Sequence, residues 1–302
     1  MSNTIYPSRK RRLGDRYDGF KVRGIDPLFV MIPHIMKRRT ESMVFFEEDI
    51  DIASLEKFCR KLRHETEMND LALLHVIMAA AVRMIALHPC VNRFISGRKL
   101  YARNDISMAI SIKRDMSIDG EETVIKPSFS PDATLQDVWK ILREEVTASK
   151  SGTENSTDGA ANILTILPGF LIKLVVYVCN CLDQIGKMPK FLNKLSPFHN
   201  SCYIVDNGSI GIGSVYHHLY DFGTCSVFLS MGRKENVNRL ERDGSVSSVR
   251  IMNLKLAVDE RICDGFYFAT TIRHFRKLLK NPEQLLIPPE SIPQDPQIDA
   301  KK

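Results

Sequence analysis

The sequence predicts a single α/β domain built on a mixed, largely non-parallel sheet. Three observations carry this. The 302 residues are 44% hydrophobic and 26% charged, the balance of a folded globular chain. Helical and strand patterns follow one another in mixed order. Between residues 40 and 285 no period repeats and no linker interrupts the pattern.

Taken in order, residues 1–26, MSNTIYPSRKRRLGDRYDGFKVRGID, form a basic N-terminal arm with few apolar anchors, expected to order only by docking. In DPLFVMIPHIMKRRTES the helical spacing is interrupted at Pro33, which permits a short or kinked helix. MVFFEEDI (43–50) is an apolar run ending in acids, a strand. DIASLEKFCRKLRHETEM then places Ile52, Leu55, Phe58, Cys59 and Leu62 on one helical face, with Asp51 as cap. NDLALLHVIMAAAVRMIALHP (69–89) is apolar almost all round and stops at Pro89, so a buried helix is expected, with His75 packed in the core.

DISMAISIKR (105–114) alternates as a strand, DMSIDGEE is an acidic connection containing a glycine, and TLQDVWKILREEVTASK (134–150) is a capped helix. Its Leu135, Val138, Trp139 and Leu142 share one side. ILTILPGFLIKLVVYVCNCL (163–182) is about long enough to span a bilayer, but contains Pro168, Gly169, Lys173 and Asn180. A buried or pocket-covering helix is the expectation there, ahead of a membrane-surface or partner helix. Short strands follow in CYIVDNGSIGI, CSVFLSMGRK and SVRIMNLKLAV, with turn chemistry at Asn207-Gly208 and Asp243-Gly244. FYFATTIRHFRKLLKNPEQLL is the last helix, with Phe268, Ile272, Phe275 and Leu279 on one face, and residues 291–302 read as a tail.

The net charge of +6 comes partly from SRKRR (8–12) and KRR (37–39). These read as a solvated tail and a solvated helix end rather than a nucleic-acid surface. Seven cysteines form no paired CxxC spacing, so no metal site is expected, and most read as small buried residues of a reducing compartment. The N-terminus lacks the apolar stretch of a secretory signal, which points to a cytoplasmic location.

No Gly-rich phosphate loop follows a strand, and GSIGIG (208–213) leads into no helix, which sets aside nucleotide and serine hydrolysis. His217 and His218 are adjacent, so on a strand they would face opposite sides and could not hold one metal together, though one could line a pocket. In DERICDG (259–265), Glu260 and Asp264 share a face only if the segment is helical or looped. A strand-to-loop transition opening onto the last helix is a common place for reactive side chains.

On these residues the chain resembles the catalytic domain of the dihydrolipoamide acyltransferases of 2-oxo acid dehydrogenase complexes. There a strand delivers D-H-R-x-x-D-G, a helix follows, and N-P-E-x-L-L closes the domain, as LKLAVDERICDGFYFATTIRHFRKLLKNPEQLL does here. IPHIMKRRTESMVFFEEDIDIASL, NDLALLHVIMAAAVRMIALHPCVNRFI, ISMAISI and TLQDVWKILREEV fall in family order as well, so the likeness covers roughly 30–285. It implies a chloramphenicol-acetyltransferase-like two-layer sandwich over residues 27–290, trimers with the active site in a tunnel between subunits, and a coenzyme A thioester as co-substrate. It also implies a possible 2-oxo acid dehydrogenase-type complex as partner.

Three departures stand out. Neither a lipoyl nor a peripheral-subunit-binding domain is recognisable, and residues 157–200 look like an apolar helical insertion. The family's histidine, which takes the proton from the attacking thiol or hydroxyl, aligns with Glu260, its aspartate with Asp264 and its arginine with Arg261. A thiol near pKa ~8.5 gives its proton to imidazole near ~6.5 at a cost of about 2.7 kcal/mol, and to an ordinary glutamate near ~4.3 at about 5.7. The difference of about 3 kcal/mol is roughly a hundredfold or more in rate.

Three explanations follow: Glu260 is a desolvated base, His217 or His218 reaches the site, or the fold kept its pocket without acyl transfer. Ser209, in VDNGS, is the candidate hydroxyl for stabilising a tetrahedral intermediate. The expected function is an atypical stand-alone acyltransferase moving an acyl group between coenzyme A and an unknown acceptor. The alternative is a catalytically silent binding or assembly module. Lys173, Lys187, Lys190 and Lys194, set among leucines and phenylalanines, also raise a membrane surface as partner.

Overall fold

The strand that carries the sheet has the alternation its sequence demands. In β10 (Val246–Asp259), Met252, Leu254, Leu256 and Val258 turn toward the main core, while Ala257 turns to a second cluster on the opposite face. The computed structural model describes residues 5–6, 9–113, 122–150 and 167–299. Most of the acidic connection at 115–122 and the first part of the insertion, through 166, lie outside them.

β10 pairs antiparallel with β2 (Met43–Asp51) on one side and β9 (Val227–Leu240) on the other. The sheet continues through β8 (Cys202–Asp206) to β5 (Ile106–Lys113) and β6 (Glu122–Ile125), and β7 (Ser128–Phe129) also pairs with β5. Among the described residues, β5 with β8 and β8 with β9 are parallel and the other ladders antiparallel, so the sheet is mixed and largely non-parallel.

One face of the sheet is covered by α2 (Ala53–Glu65), α3 (Leu73–Leu87), α4 (Leu135–Lys150) and α7 (Gly265–Lys280). α3 is the central one: Val76, Ile77, Met78, Ala80 and Val82 are all fully buried, as its all-round apolarity requires. Leu55, Phe58, Cys59 and Leu62 of α2, and Leu135, Val138, Trp139 and Leu142 of α4, are buried on the faces their spacing selects. Each large apolar side chain fully buried contributes roughly 1.5–3 kcal/mol. Asp51 accepts from the Ala53 amide at 3.0 Å, and Thr134 and Asp137 exchange hydrogen bonds at the start of α4. α1 (Pro27–Ile35) is short and carries Pro33, as expected. His75 is only half-buried; its Nδ1 accepts from the Ala72 amide at 2.9 Å.

The N-terminal arm docks on the chain itself. β1 (Gly19–Lys21) adds to β4 (Lys99–Arg103), which pairs with β3 (Arg93–Ser96) in a second, three-stranded sheet. Its anchors are Tyr6, Phe20 and Val22, all buried, and Arg16, which donates to Asp18, to Ser96 Oγ at 2.7 Å and to Asp183 Oδ1 at 2.6 Å. The arm's basic cluster is correspondingly only partly solvated: Arg11 lies over the Phe20 ring and Arg9 pairs with Asp299. The tail is equally engaged, with Ile298 buried and Asp295 bidentate to Arg93 at 2.6 and 2.7 Å.

Of the expectation of a buried or pocket-covering helix within 163–182, burial is corrected, while the last turn of the helix does line a cleft. α5 (Gly169–Gln184) buries only Asp183, while Phe170, Leu174, Val176 and Tyr177 are exposed. The helix is fixed at its C-terminal end and carries apolar residues on its other faces too, where no core reaches them. A short α6 (Lys190–Leu195) follows, clamped by Lys126, whose ammonium donates to the carbonyls of Asn193, Ser196 and His199 at 2.7–2.9 Å. Among the described residues, no helix is long and apolar enough to cross a membrane.

Burial alone would raise the Asp183 carboxyl, but His199 at 3.6 Å and Arg16 outweigh it and hold the pKa at about 2. The contribution of the group is therefore present above its ordinary range near 3.8 and is lost as pH falls toward 2. Asp183→Asn should cost about 2 kcal/mol at neutral pH, with the gap to the parent closing below pH ~3, read by chemical denaturation across pH. Asp295→Asn, which leaves Arg93 buried without its counter-charge, should lower stability by about 3 kcal/mol in the same assay.

Candidate functional site

β10 ends in a buried carboxylate. Asp259 is fully buried and accepts from Arg261 Nε and Nη2, both at 2.7 Å, from the Arg261 amide at 3.1 Å, and from Ser42 Oγ at 3.0 Å. Arg261, 2% exposed, also donates to the Met36 carbonyl at 2.9 Å. This bidentate pair ties the strand end to the segment after α1, and the Glu260 amide adds a bond to the Ser42 carbonyl at 2.9 Å.

The frame holds the turn in which Glu260 and Asp264 stand, and both are exposed. Asp264 is the cap of α7, its Oδ1 accepting from the Tyr267 amide at 2.9 Å. The transition is therefore strand, tight turn and helix, as DERICDG suggests. The burial that would make Glu260 a desolvated base is not supplied by this chain.

His217 and His218 lie in the loop after β8, not on a strand, which corrects the opposite-sides geometry: their rings stack on each other at 4.5 Å. His217 also lies flat on Phe228 at 4.0 Å, and its Nδ1 is 2.7 Å from the His218 carbonyl oxygen. Burial, then the neighbouring His218, lowers the His217 pKa against the pull of that carbonyl. Phe228 pairs in register with Ala257, so His217 sits one strand over and three residues back from Glu260. No group of three or more potential metal ligands occurs among the described residues.

Ser209 stands elsewhere. It lies in the 3-10 turn Asn207–Ile210 after β8, its Oγ donating to the Asp206 carbonyl at 2.7 Å. Gly208 permits this turn because a Cβ there would meet the Gly232 carbonyl oxygen at 2.6 Å. Asp206 pairs with Met231 and Met231 with Leu254, five residues before Asp259. Within one chain, Ser209 and Glu260 are thus separated by about 17 Å of strand. Ser209 instead borders an apolar cleft of about 840 Å³ between the sheet and α3–α4, lined also by His75, Ser111 and Arg143.

Sequence reasoning passed over Asp259, Ser42 and Arg39. The signal was present for the first: an acid ending an alternating apolar run, two residues before an arginine. Nothing local marks Ser42 or Arg39, which become partners only when β2 pairs with β10. Arg39, 5% exposed, donates to the Ile95 and Asp221 carbonyls and leaves its Nε 3.9 Å from Asp259 without a hydrogen bond. Burial lowers its pKa, opposed by Asp259 and reinforced by Arg261. Asp259→Asn should destabilise the chain by about 3–5 kcal/mol because it leaves Arg261 buried and uncompensated. Glu260→Gln, at an exposed position, should stay within about 0.5 kcal/mol of the parent in the same melts.

Residues 200–287 match the family model described as the 2-oxoacid dehydrogenases acyltransferase catalytic domain. No curated protein sequence matches the chain. Among solved structures, it is similar to a probable dihydrolipoamide acetyltransferase from Listeria monocytogenes, with 12% identity and a TM-score of 0.56 over 85% of this chain and 93% of that one. The cubic core of the pyruvate dehydrogenase multienzyme complex gives 13% identity and a TM-score of 0.57 over 86% and 89%. A chloramphenicol acetyltransferase gives 9% and 0.50 over 85% and 99%. At these identities the likeness to the structures is one of fold: this is the chloramphenicol-acetyltransferase-like architecture, and its DERICDG end resembles the acyltransferase catalytic domain.

Proposed function

We propose that the chain is an atypical acyltransferase that moves an acyl group between coenzyme A and a thiol, amine or hydroxyl acceptor. The observation that carries this reading is the match of residues 200–287 to the acyltransferase catalytic domain. The resemblance of DERICDG to the family's D-H-R-x-x-D-G is what assigns Glu260 to the position of the base. Glu260 would take the proton as the acceptor attacks the thioester carbonyl. It would return it as the tetrahedral intermediate collapses and coenzyme A leaves as the thiol.

Ser209 is a donor for that intermediate only from another copy, given the 17 Å or so of strand between it and Glu260. A homotrimer with the site between subunits satisfies this, and the resemblance to the cubic core of a pyruvate dehydrogenase complex supports assembly into a similar complex. His217 or His218 is the alternative base, since their loop lies on the strand next to β10.

A second reading, a silent relative that serves as a binding or assembly module, is favoured by one observation. Asp264 is committed to capping α7, and no side chain among the described residues is hydrogen-bonded to Glu260 to orient it.

Release of free coenzyme A from acetyl-coenzyme A, with dihydrolipoamide as probe acceptor, separates the two. Under the first reading the full chain turns over, Glu260→Gln loses about a hundredfold or more, and Glu260→His gains by a similar factor. Turnover unchanged in Glu260→Gln removes Glu260 as the base. A parent at background whose Glu260→His variant turns over identifies the silent relative.

A further inference from the structure

The apolar helix α5 does not stand alone on the surface. Its last turn forms one wall of a cleft of about 320 Å³ whose other walls carry Lys37, Arg38, Arg39, Arg98 and Arg261. The cleft's two acids are already engaged. Asp183 is held by Arg16, and Asp221 accepts from the Arg39 and Thr40 amides. Among the described residues, no carboxylate pairs with the side chains of Lys37, Arg38 or Arg98, all exposed, and Arg39 Nε is buried without a hydrogen-bond partner. Arg261 is already held by Asp259, which also lies 3.9 Å from Arg39 Nε, so the uncompensated charges are Lys37, Arg38 and Arg98. Like charges converging on one concavity repel one another unless an anion enters.

From two residues before Asn180, which also lines the cleft, back toward its N-terminus, the helix is apolar on its exposed faces. Phe170, Leu174, Val176, Tyr177 and Val178 run along it for about 13 Å at the helical rise. From 167 to 200 the chain has four lysines (Lys173, Lys187, Lys190 and Lys194), all exposed, and one acid, the buried Asp183. A two-fold contact of this face with a second copy would bring the same cations against the same cations. An anionic bilayer matches both parts: lipid phosphates satisfy the cleft, and acyl chains cover the helix.

We propose that α5 and the cationic cleft at its foot form a docking surface for an anionic phospholipid bilayer. The helix enters the interface through Phe170–Val178, and a lipid phosphate occupies the cleft between Lys37, Arg38 and Arg98. This holds whether or not the chain transfers acyl groups.

The test is co-sedimentation of the full chain with vesicles of phosphatidylcholine alone and with about 30% phosphatidylglycerol. The anionic vesicles should bind the chain at least tenfold more tightly, and added salt should weaken the binding. Combining Lys37→Gln, Arg38→Gln and Arg98→Gln should cut binding to anionic vesicles by about a hundredfold, at roughly fivefold per basic residue. Leu174→Ser with Tyr177→Ser should reduce binding to both vesicle types; all five positions are exposed, and circular dichroism checks that each variant is folded.

Equal binding to both vesicle types, or none to the anionic ones at low salt, overturns the proposal. So does a change of oligomer mass in the Leu174→Ser/Tyr177→Ser variant, which would assign the helix face to a second copy. Thermal stabilisation by inorganic phosphate without vesicle binding would assign the cleft to a free anion, and overturns it equally.

Discussion

The Asp259–Arg261 pair is the constraint on which the rest depends. A carboxylate fully removed from water is tolerable only if its lone pairs are filled, and Arg261, its own amide and Ser42 fill them. To do so, the end of β10 must lie against the segment that follows α1, and β2 must run beside β10 over nine residue pairs. The position of the turn bearing Glu260, the entry into α7 and the floor of the cationic cleft all follow from that one arrangement. A buried pair of this kind adds little net stability over an apolar alternative, but once present it penalises any other register heavily.

Arg16 plays the corresponding part on the other side of the molecule. Its guanidinium joins the N-terminal segment, the small sheet through Ser96 and the end of α5 through Asp183. Fixing α5 at its last turn leaves the rest of the helix without a core to enter, so its apolar residues face outward. The same anchoring sets Asn180 and Gln184 beside Gly97 and Arg98, which makes the cleft. An apolar helix and a cationic concavity whose residues lie far apart in the chain thus become parts of one surface.

The two candidate residues, Glu260 and Ser209, stand at strand ends that a single chain keeps apart. Glu260 follows the end of β10, whereas Ser209 follows the opposite end of β8, and the parallel β8–β9 ladder fixes that separation. Chemistry needing both residues needs two subunits. The paired histidines illustrate a different limit: adjacency suggested opposite faces, but outside a strand the two rings stack, with Phe228 as their platform.

By itself the sequence determined whatever depends on local periodicity and capping. That includes the buried α3, the one-sided α2 and α4, the alternation of β10, and a strand–turn–helix passage at DERICDG. These are legible because the spacing of apolar residues selects a helix or strand face before any partner is present. Only the tertiary structure decided what depends on partners far apart in the chain. It docked the N-terminal segment and the tail on the body, made Asp259 a buried anchor, left α5 uncovered, and parted Ser209 from Glu260. Charges such as Arg16, Arg39 and Asp295 look solvated when read along the chain; folding buries them because their counter-charges or carbonyls arrive from elsewhere.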